Sequence, residues 1–353
     1  MSPEPLPSRS QIATQLPNVI SAYDVCLQFE KFASTQQDPR FIISARVLGY
    51  LFLHAPSDRA LAEVVNTIHS CSQDHDTLYA LGEAFVTWFI RAFRKYKGRT
   101  PLSSDHSRSR PSFDRDRSFL KVSIQEAPKD HSTAKGQALV RDGYRCLISG
   151  KYDALARKAL DLPLEEILKF GPAVYTECAH IVPASTYFNV NTANSNTDPN
   201  KKDYAASVLA VLKCFGYDVD KLNGANVHSL FNVMTLEKNT HDLFDQLRLW
   251  LDATDTPNCY RVQVADPMFF IPGRQLVTFS TPDPEHLPLP SADLLALHAA
   301  CAKVAHLSGA AEYLDDFDRH LETSKVLAFD GGSAEVLRYA ITRLAGEGID
   351  VEA

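Results

Sequence analysis

Apolar residues recur every three to four positions between residues 18 and 98, as in Leu78, Leu81, Phe85, Trp88, Phe89 and Phe93. That period predicts helices with one buried stripe. The last helix should stop at Arg94-Lys95-Tyr96-Lys97-Gly98-Arg99, where cations suit the negative end of the helix dipole and Gly98 offers a break. Residues 100–118 lose the period and turn to Ser, Arg, Asp and Pro, the composition of a flexible linker. Shorter elements follow: a polar helix from Thr133 to Arg141, a strand Cys146–Gly150 closed by a glycine turn, and a second short run from Val174 to Val182. A helix over 201–215 has Tyr204, Val208, Val211 and Phe215 along one side. An extended run, Leu230 to Leu236, leads to a brief helix opening near Thr240. Alternation of Leu247, Leu249 and Leu251, a turn at Thr256-Pro257-Asn258, and alternation of Tyr260, Val262 and Val264 predict a hairpin. After a proline-rich stretch, Ser291 should cap a helix seamed by Leu294, Leu297, Cys301 and Val304. A final helix is expected from Ala310 to Glu322.

These elements divide the chain into an N-terminal helical region (1–99), a basic, Ser- and Pro-containing linker (100–120), a mixed central domain (121–280) and a C-terminal helical region (281–353). With 45% apolar and 22% charged residues the chain is ordinary globular material. A net charge of −7 provides no overall positive field for nucleic acid, so any such contact needs a local patch. Residues 91–121 supply one, with ten Lys or Arg against three Asp. Arg108, Arg110, Arg115 and Arg117 are the candidate phosphate contacts there, against the plainer reading of a solvated linker. The seven cysteines are scattered without a CxxC pair, which fits reduced, mostly buried thiols. The start, MSPEPLPSRSQ, has no apolar core, and the greasiest run, Phe41 to Pro56, is broken by Arg46. A soluble, intracellular protein of nucleus or cytoplasm with no membrane contact is therefore expected.

Three segments carry candidate chemistry: Glu177-Cys178-Ala179-His180-Ile181-Val182-Pro183, the run around Asn232, and Asn239-Thr240-His241-Asp242-Leu243-Phe244-Asp245. A histidine ending a strand, an asparagine opening the next, and a histidine nine residues later on a helix suit one-metal phosphodiester hydrolysis. An imidazole can take a proton from water near neutral pH. An asparagine amide can bond backbone across a hairpin and hold that imidazole in place. A second imidazole can ligate a divalent ion that polarises phosphate.

These segments resemble the HNH nucleases, the ββα-metal fold, and in particular a subgroup with a Cys-x-x-x-Gly strand, an Ala-His-Ile-x-Pro strand and a His-x-Leu-Phe-Asp helix. Here they stand as Cys146–Gly150, Ala179–Pro183 and His241–Asp245. The wider arrangement is similar to HNH-domain proteins of mushroom-type fungi. The resemblance implies an α+β architecture, a ββα-metal nuclease module with flanking α-helical regions. It also implies an endonuclease with His180 as general base, Asn232 as orienting amide and His241 as metal ligand. The cofactor would be a divalent ion, Mg²⁺ or Mn²⁺ ahead of Zn²⁺, and the partner a nucleic acid, DNA ahead of RNA.

Two departures accompany it. Ala179 stands where family members often place an acidic or histidine ligand, and Asn232 follows His180 by fifty-two residues, leaving room for a helix and the polar loop 189–200. Asp242 and Asp245 are further candidates for metal binding or for support of a ligand, against roles as a helix-dipole charge and a surface carboxylate. His228 is a candidate phosphate donor, against the plainer reading of a solvent-facing loop histidine. Cys146, Cys178, His180 and His241 form a nominal Cys₂His₂ zinc set, less natural than buried thiols because structural zinc sites bring a close Cys pair. A catalytically degenerate HNH domain that binds nucleic acid or protein is the alternative function.

Overall fold

The computed structural model describes residues 1–11, 16–94, 111–123, 125, 130–187 and 201–323. Arg108, Arg110 and the loop 189–200 lie outside the described residues.

The N-terminal region is a stack of helices whose starts are written in the sequence: α1 (Pro17–Ala33), α2 (Pro39–Leu53), α3 (Asp58–Ser70) and α4 (His75–Phe85). Proline opens α1 and α2, where a missing N–H costs nothing. Asp38, Ser57 and Asp74 cap α2, α3 and α4 by accepting from the amides of Arg40, Ala60 and Thr77. Helix α2 is buried almost all round, from Ile43 to Phe52, and packs on α1 and α4. Its crossing with α4 is so close that a methyl group at Gly82 would stand 2.4 Å from Ser44 Cβ. A π turn, Val86–Ile90, widens the helix and turns Trp88, Phe89 and Ile90 inward before α5 (Arg91–Phe93).

The second half of the expected linker is helical: α6 spans Pro111–Ser123. Its charges, which look solvated in the sequence, are engaged by α10 (Lys201–Cys214), with Asp116 2.9 Å from Lys213 and Lys121 2.5 Å from Asp203. Leu120 is buried between them.

Helix α7 (Ser132–Arg141) ends in the side chain that ties the central domain together. Arg141 is buried, pairs with Asp142 at 2.6 Å, and donates to the carbonyls of Leu230, Val233 and Pro288. Asp142 in turn accepts from the Thr235 amide. The segment Cys146–Gly150 is a tight turn and not a strand. Gly150 donates back to the Cys146 carbonyl in a left-handed conformation (φ +74°), and Ser149 N donates to the Cys146 sulfur at 3.3 Å. A chain folding back within five residues cannot pair as a strand, and Leu147 donates to Thr235 instead. Two short helices, α8 (Ala156–Ala159) and α9 (Leu164–Leu168), follow.

Strand β1 (Thr176–His180) pairs antiparallel with β2 (Val233–Glu237), with His180 opposite Val233 and Thr176 opposite Glu237. Helix α11 (Lys238–Asp245) starts directly from β2, two residues earlier than Thr240. Together β1, β2 and α11 make the expected ββα unit. The predicted hairpin is β3 (Leu249–Ala253) with β4 (Cys259–Val264). A third strand, β5 (Leu276–Thr278), which the sequence pattern does not announce, pairs with β4. Ser291 caps α12 (Ala292–Ser308) through the Leu294 amide, and α13 (Ala310–Thr323) completes the described chain. Helix α12 packs on both α2 and β3, so one apolar cluster runs from the N-terminal helices through the ββα unit to α12 and α13. The α+β architecture with flanking helices is therefore as expected. Among the described residues no single helix is long and apolar enough to cross a membrane.

Candidate active site

His180 is the last residue of β1, placed where the strand leaves the hairpin. Its exit is held by Asn232, which is fully buried. Asn232 Oδ1 accepts from the Val182 amide at 2.8 Å, and Nδ2 donates to the carbonyls of Val182 (3.0 Å) and Val227 (2.8 Å). The Asn232 carbonyl accepts from Ile181 N. The asparagine thus grips backbone beside two histidines: the segment after His180 and the loop before His228.

His228 is not the solvent-facing residue that its loop position suggests. Its Nδ1 lies 2.8 Å from Nε2 of His180, because the Asn232–Val227 bond draws the loop onto the strand end. His131, at the start of α7, completes a trio. Its ring stacks on His228 (5.5 Å, 18°) and meets His180 edge-on (5.3 Å, 82°). Burial, then the neighbouring rings of His228, His131 and His241, lower the His180 pKa to about 3, with Asp245 acting in the opposite sense. His180 is therefore a neutral imidazole at physiological pH.

Helix α11 presents the second group. His241 and Asp245 are one helical turn apart and both buried, with Nε2 and Oδ2 3.2 Å from each other. The other ring nitrogen, Nδ1, lies 2.7 Å from Oε2 of Glu177 on β1. Asp242 is offset around the helix, about half exposed, and 3.8 Å from Lys238. Ala179 is fully buried in the apolar cluster, so the position beside His180 faces core. The His180 ring lies within electrostatic range of both His241 and Asp245.

The donor set suits a hard divalent ion bound by few protein groups. Adjacent ligands about 2.1 Å from an octahedral ion stand about 3.0 Å apart, close to the 3.2 Å separating His241 Nε2 and Asp245 Oδ2. Among the described residues no group of three or more His, Cys, Asp or Glu side chains forms a ready-made cage. Water and substrate phosphate would complete the shell, as is usual for Mg²⁺. The nominal Cys₂His₂ set does not assemble. Cys178 packs with Ala138, Leu230 and Val233, burial pushes its thiol up to about 12, and Cys146 belongs to a different apolar cluster. All seven cysteines are free thiols.

Arg115 and Arg117 lie on α6, Arg115 exposed and Arg117 partly so, on the helix that packs against α10. Sequence reasoning missed Glu177 and His131. Glu177 is two residues before Ala179 on the same strand face, a signal available to anyone seeking the carboxylate absent at position 179. No sequence signal links His131 to a histidine forty-nine residues later.

No curated protein and no solved structure matches this chain. The family model for HNH endonucleases matches residues 146–252, from the Cys146 turn through β1, β2 and α11 into β3. This stretch contains His180, Asn232, His241 and Asp245, and over residues 146–252 the chain is similar to the HNH endonucleases.

Proposed function

We propose that the chain is a metal-dependent endonuclease that hydrolyses phosphodiester bonds in nucleic acid, DNA ahead of RNA. The observation that carries this reading is the imidazole and carboxylate pair on the helix, Nε2 and Oδ2 3.2 Å apart, within electrostatic range of a neutral imidazole on the strand. His180 takes the proton from the attacking water. Its depressed pKa keeps it unprotonated across the physiological range. Asn232 fixes the backbone on which His180 rides, so the ring need not be reoriented as the reaction proceeds. His241 and Asp245 hold the divalent ion, Mg²⁺ or Mn²⁺ ahead of Zn²⁺, since one carboxylate with one imidazole is a harder donor set than thiolates. When bound, the ion polarises the phosphate and neutralises charge on the departing oxygen. Glu177 receives the other His241 nitrogen at 2.7 Å, a support that orients a ligand ring and raises its basicity.

A second reading, an HNH module that binds nucleic acid or protein without cutting, is favoured by the buried Ala179 and the net charge of −7. Calorimetry separates the roles. His180→Ala should retain wild-type Mn²⁺ affinity, whereas His241→Ala and Asp245→Asn should each weaken it by roughly 10- to 100-fold. Equal affinity in all three variants would remove the metal assignment. Normal metal binding without cleavage of plasmid or RNA would leave the binding module.

A further inference from the structure

Resting on the nuclease reading above, we propose that His228 is the positioning residue for His180: its Nδ1 accepts the Nε2–H of His180 and leaves Nδ1 of His180 as the nitrogen that takes a proton from water. The contact itself demands a choice. Two ring nitrogens 2.8 Å apart share one hydrogen bond, and one proton between them has only two assignments. If His228 donated, His180 would carry its own proton on Nδ1. That N–H has no acceptor among the described residues, and the lone pair needed for base chemistry would already be occupied. If His180 donates, its one N–H is used and the nitrogen left open on its ring is a lone pair, which tolerates the lack of a partner better than an N–H does. His180 keeps part of its surface in solvent, so that lone pair can meet water.

The surroundings favour the same assignment. With Nδ1 engaged as acceptor, neutral His228 carries its proton on Nε2. The Asp130 carboxylate, 2.9 Å from the Ser132 amide, lies within electrostatic range of both His228 and His131. His131 stacked on His228 holds the plane of that ring. Asn232 holds its backbone through Val227. The other titratable groups that act on His180, His241 and Asp245, come from the α11 side and make no hydrogen bond to its ring among the described residues.

Ring ¹⁵N chemical shifts of the folded, full-length protein decide the matter, because protonated and unprotonated imidazole nitrogens resonate far apart. In the wild type at neutral pH, His180 should show a protonated Nε2 and a bare Nδ1. In His228→Ala the two tautomers of His180 should mix, with kcat lowered by roughly 10²-fold. In His228→Asn the amide oxygen can occupy the place of the lost Nδ1, and it should restore both the Nε2–H form and most of kcat. His131→Phe keeps a ring on His228 and should leave the tautomer as in the wild type. A bare Nε2 on His180 in the wild type would overturn the assignment, as would a tautomer unmoved in a folded His228→Ala. The shifts are read without any cleavage. A chain with the expected tautomer that cuts no nucleic acid fails the nuclease reading alone, and a cutting chain with the opposite tautomer fails this one alone.

Discussion

Asn232 makes the strongest demand on a single side chain in this molecule. Its amide is buried and satisfies one N–H and two carbonyls, at Val182 and Val227. Removing it strands those groups away from water at about 1–3 kcal/mol apiece before relaxation. Asn232→Ala should therefore cost about 2–4 kcal/mol, read from urea denaturation, and should disturb His180 and His228 together because the same amide holds both backbones. A loss below about 0.5 kcal/mol, within the range of ordinary surface substitutions, would show that the amide is not holding them. At this scale much of the candidate site was legible: His180, Asn232 and His241 stand at informative places, a strand end, a strand start and a helix turn. What was hidden is which side chain meets which. His131 and His228 approach His180 only because α7 and the Val227 loop converge on the strand end. Glu177 reaches His241 only because β1 lies beside α11. Such contacts are fixed by tertiary packing, which no local pattern encodes.

Between elements, two devices hold the ββα unit in place. One is the Arg141–Asp142 pair, which joins the end of α7 to β2 through the Val233 carbonyl and the Thr235 amide. The sequence shows only an Arg-Asp dipeptide at a helix end, where an exposed charge is the ordinary expectation. Breaking a buried pair by removing one partner leaves the other charge uncompensated. Arg141→Met should destabilise by roughly 3–5 kcal/mol in urea unfolding, and a loss under 1 kcal/mol would show that the pair is dispensable. The second device is α12. His298 Nε2 donates to the Phe244 carbonyl (3.1 Å) and stacks on the Phe244 ring at 3.7 Å, and His306 Nε2 donates to the Leu247 carbonyl (2.9 Å). Helix α12 thereby braces the end of the helix that carries His241 and Asp245. The regular elements were readable from period and caps, as Ser291 and the β3–β4 alternation show. The exceptions have physical causes. The Cys146–Gly150 run looks β-like but folds back on itself, Gly150 donating to the Cys146 carbonyl, and α6 hides its pairing with α10 behind charges that read as solvated.

Across the whole molecule, the N-terminal helices, the ββα unit and the C-terminal helices share one apolar cluster, so a perturbation anywhere in it should register in global stability. Acid is the natural one. Burial lowers the pKa of His298 and of His54 from 6.5 to about 4, that of His180 to about 3, and that of His306 in the same direction. The unfolded chain titrates these groups near 6.5, so it binds protons first as the pH falls. Stability should be full above pH 6.5 and decline progressively toward pH 4. His298 alone, almost wholly buried, accounts for ~3 kcal/mol of that loss. Melting temperatures between pH 7.5 and 4.5 should fall steeply, and His298→Phe, which keeps the stacking, should flatten the curve. A flat wild-type curve would contradict the buried neutral histidines. The central claim, that His180 is the proton acceptor of a metal-dependent nuclease, is tested most directly by plasmid cleavage in Mn²⁺ with wild-type and His180→Ala protein of equal fold and metal affinity. The account predicts conversion of supercoiled plasmid by the wild type and a rate at least about 10²-fold lower in the variant; equal rates in the two would contradict it.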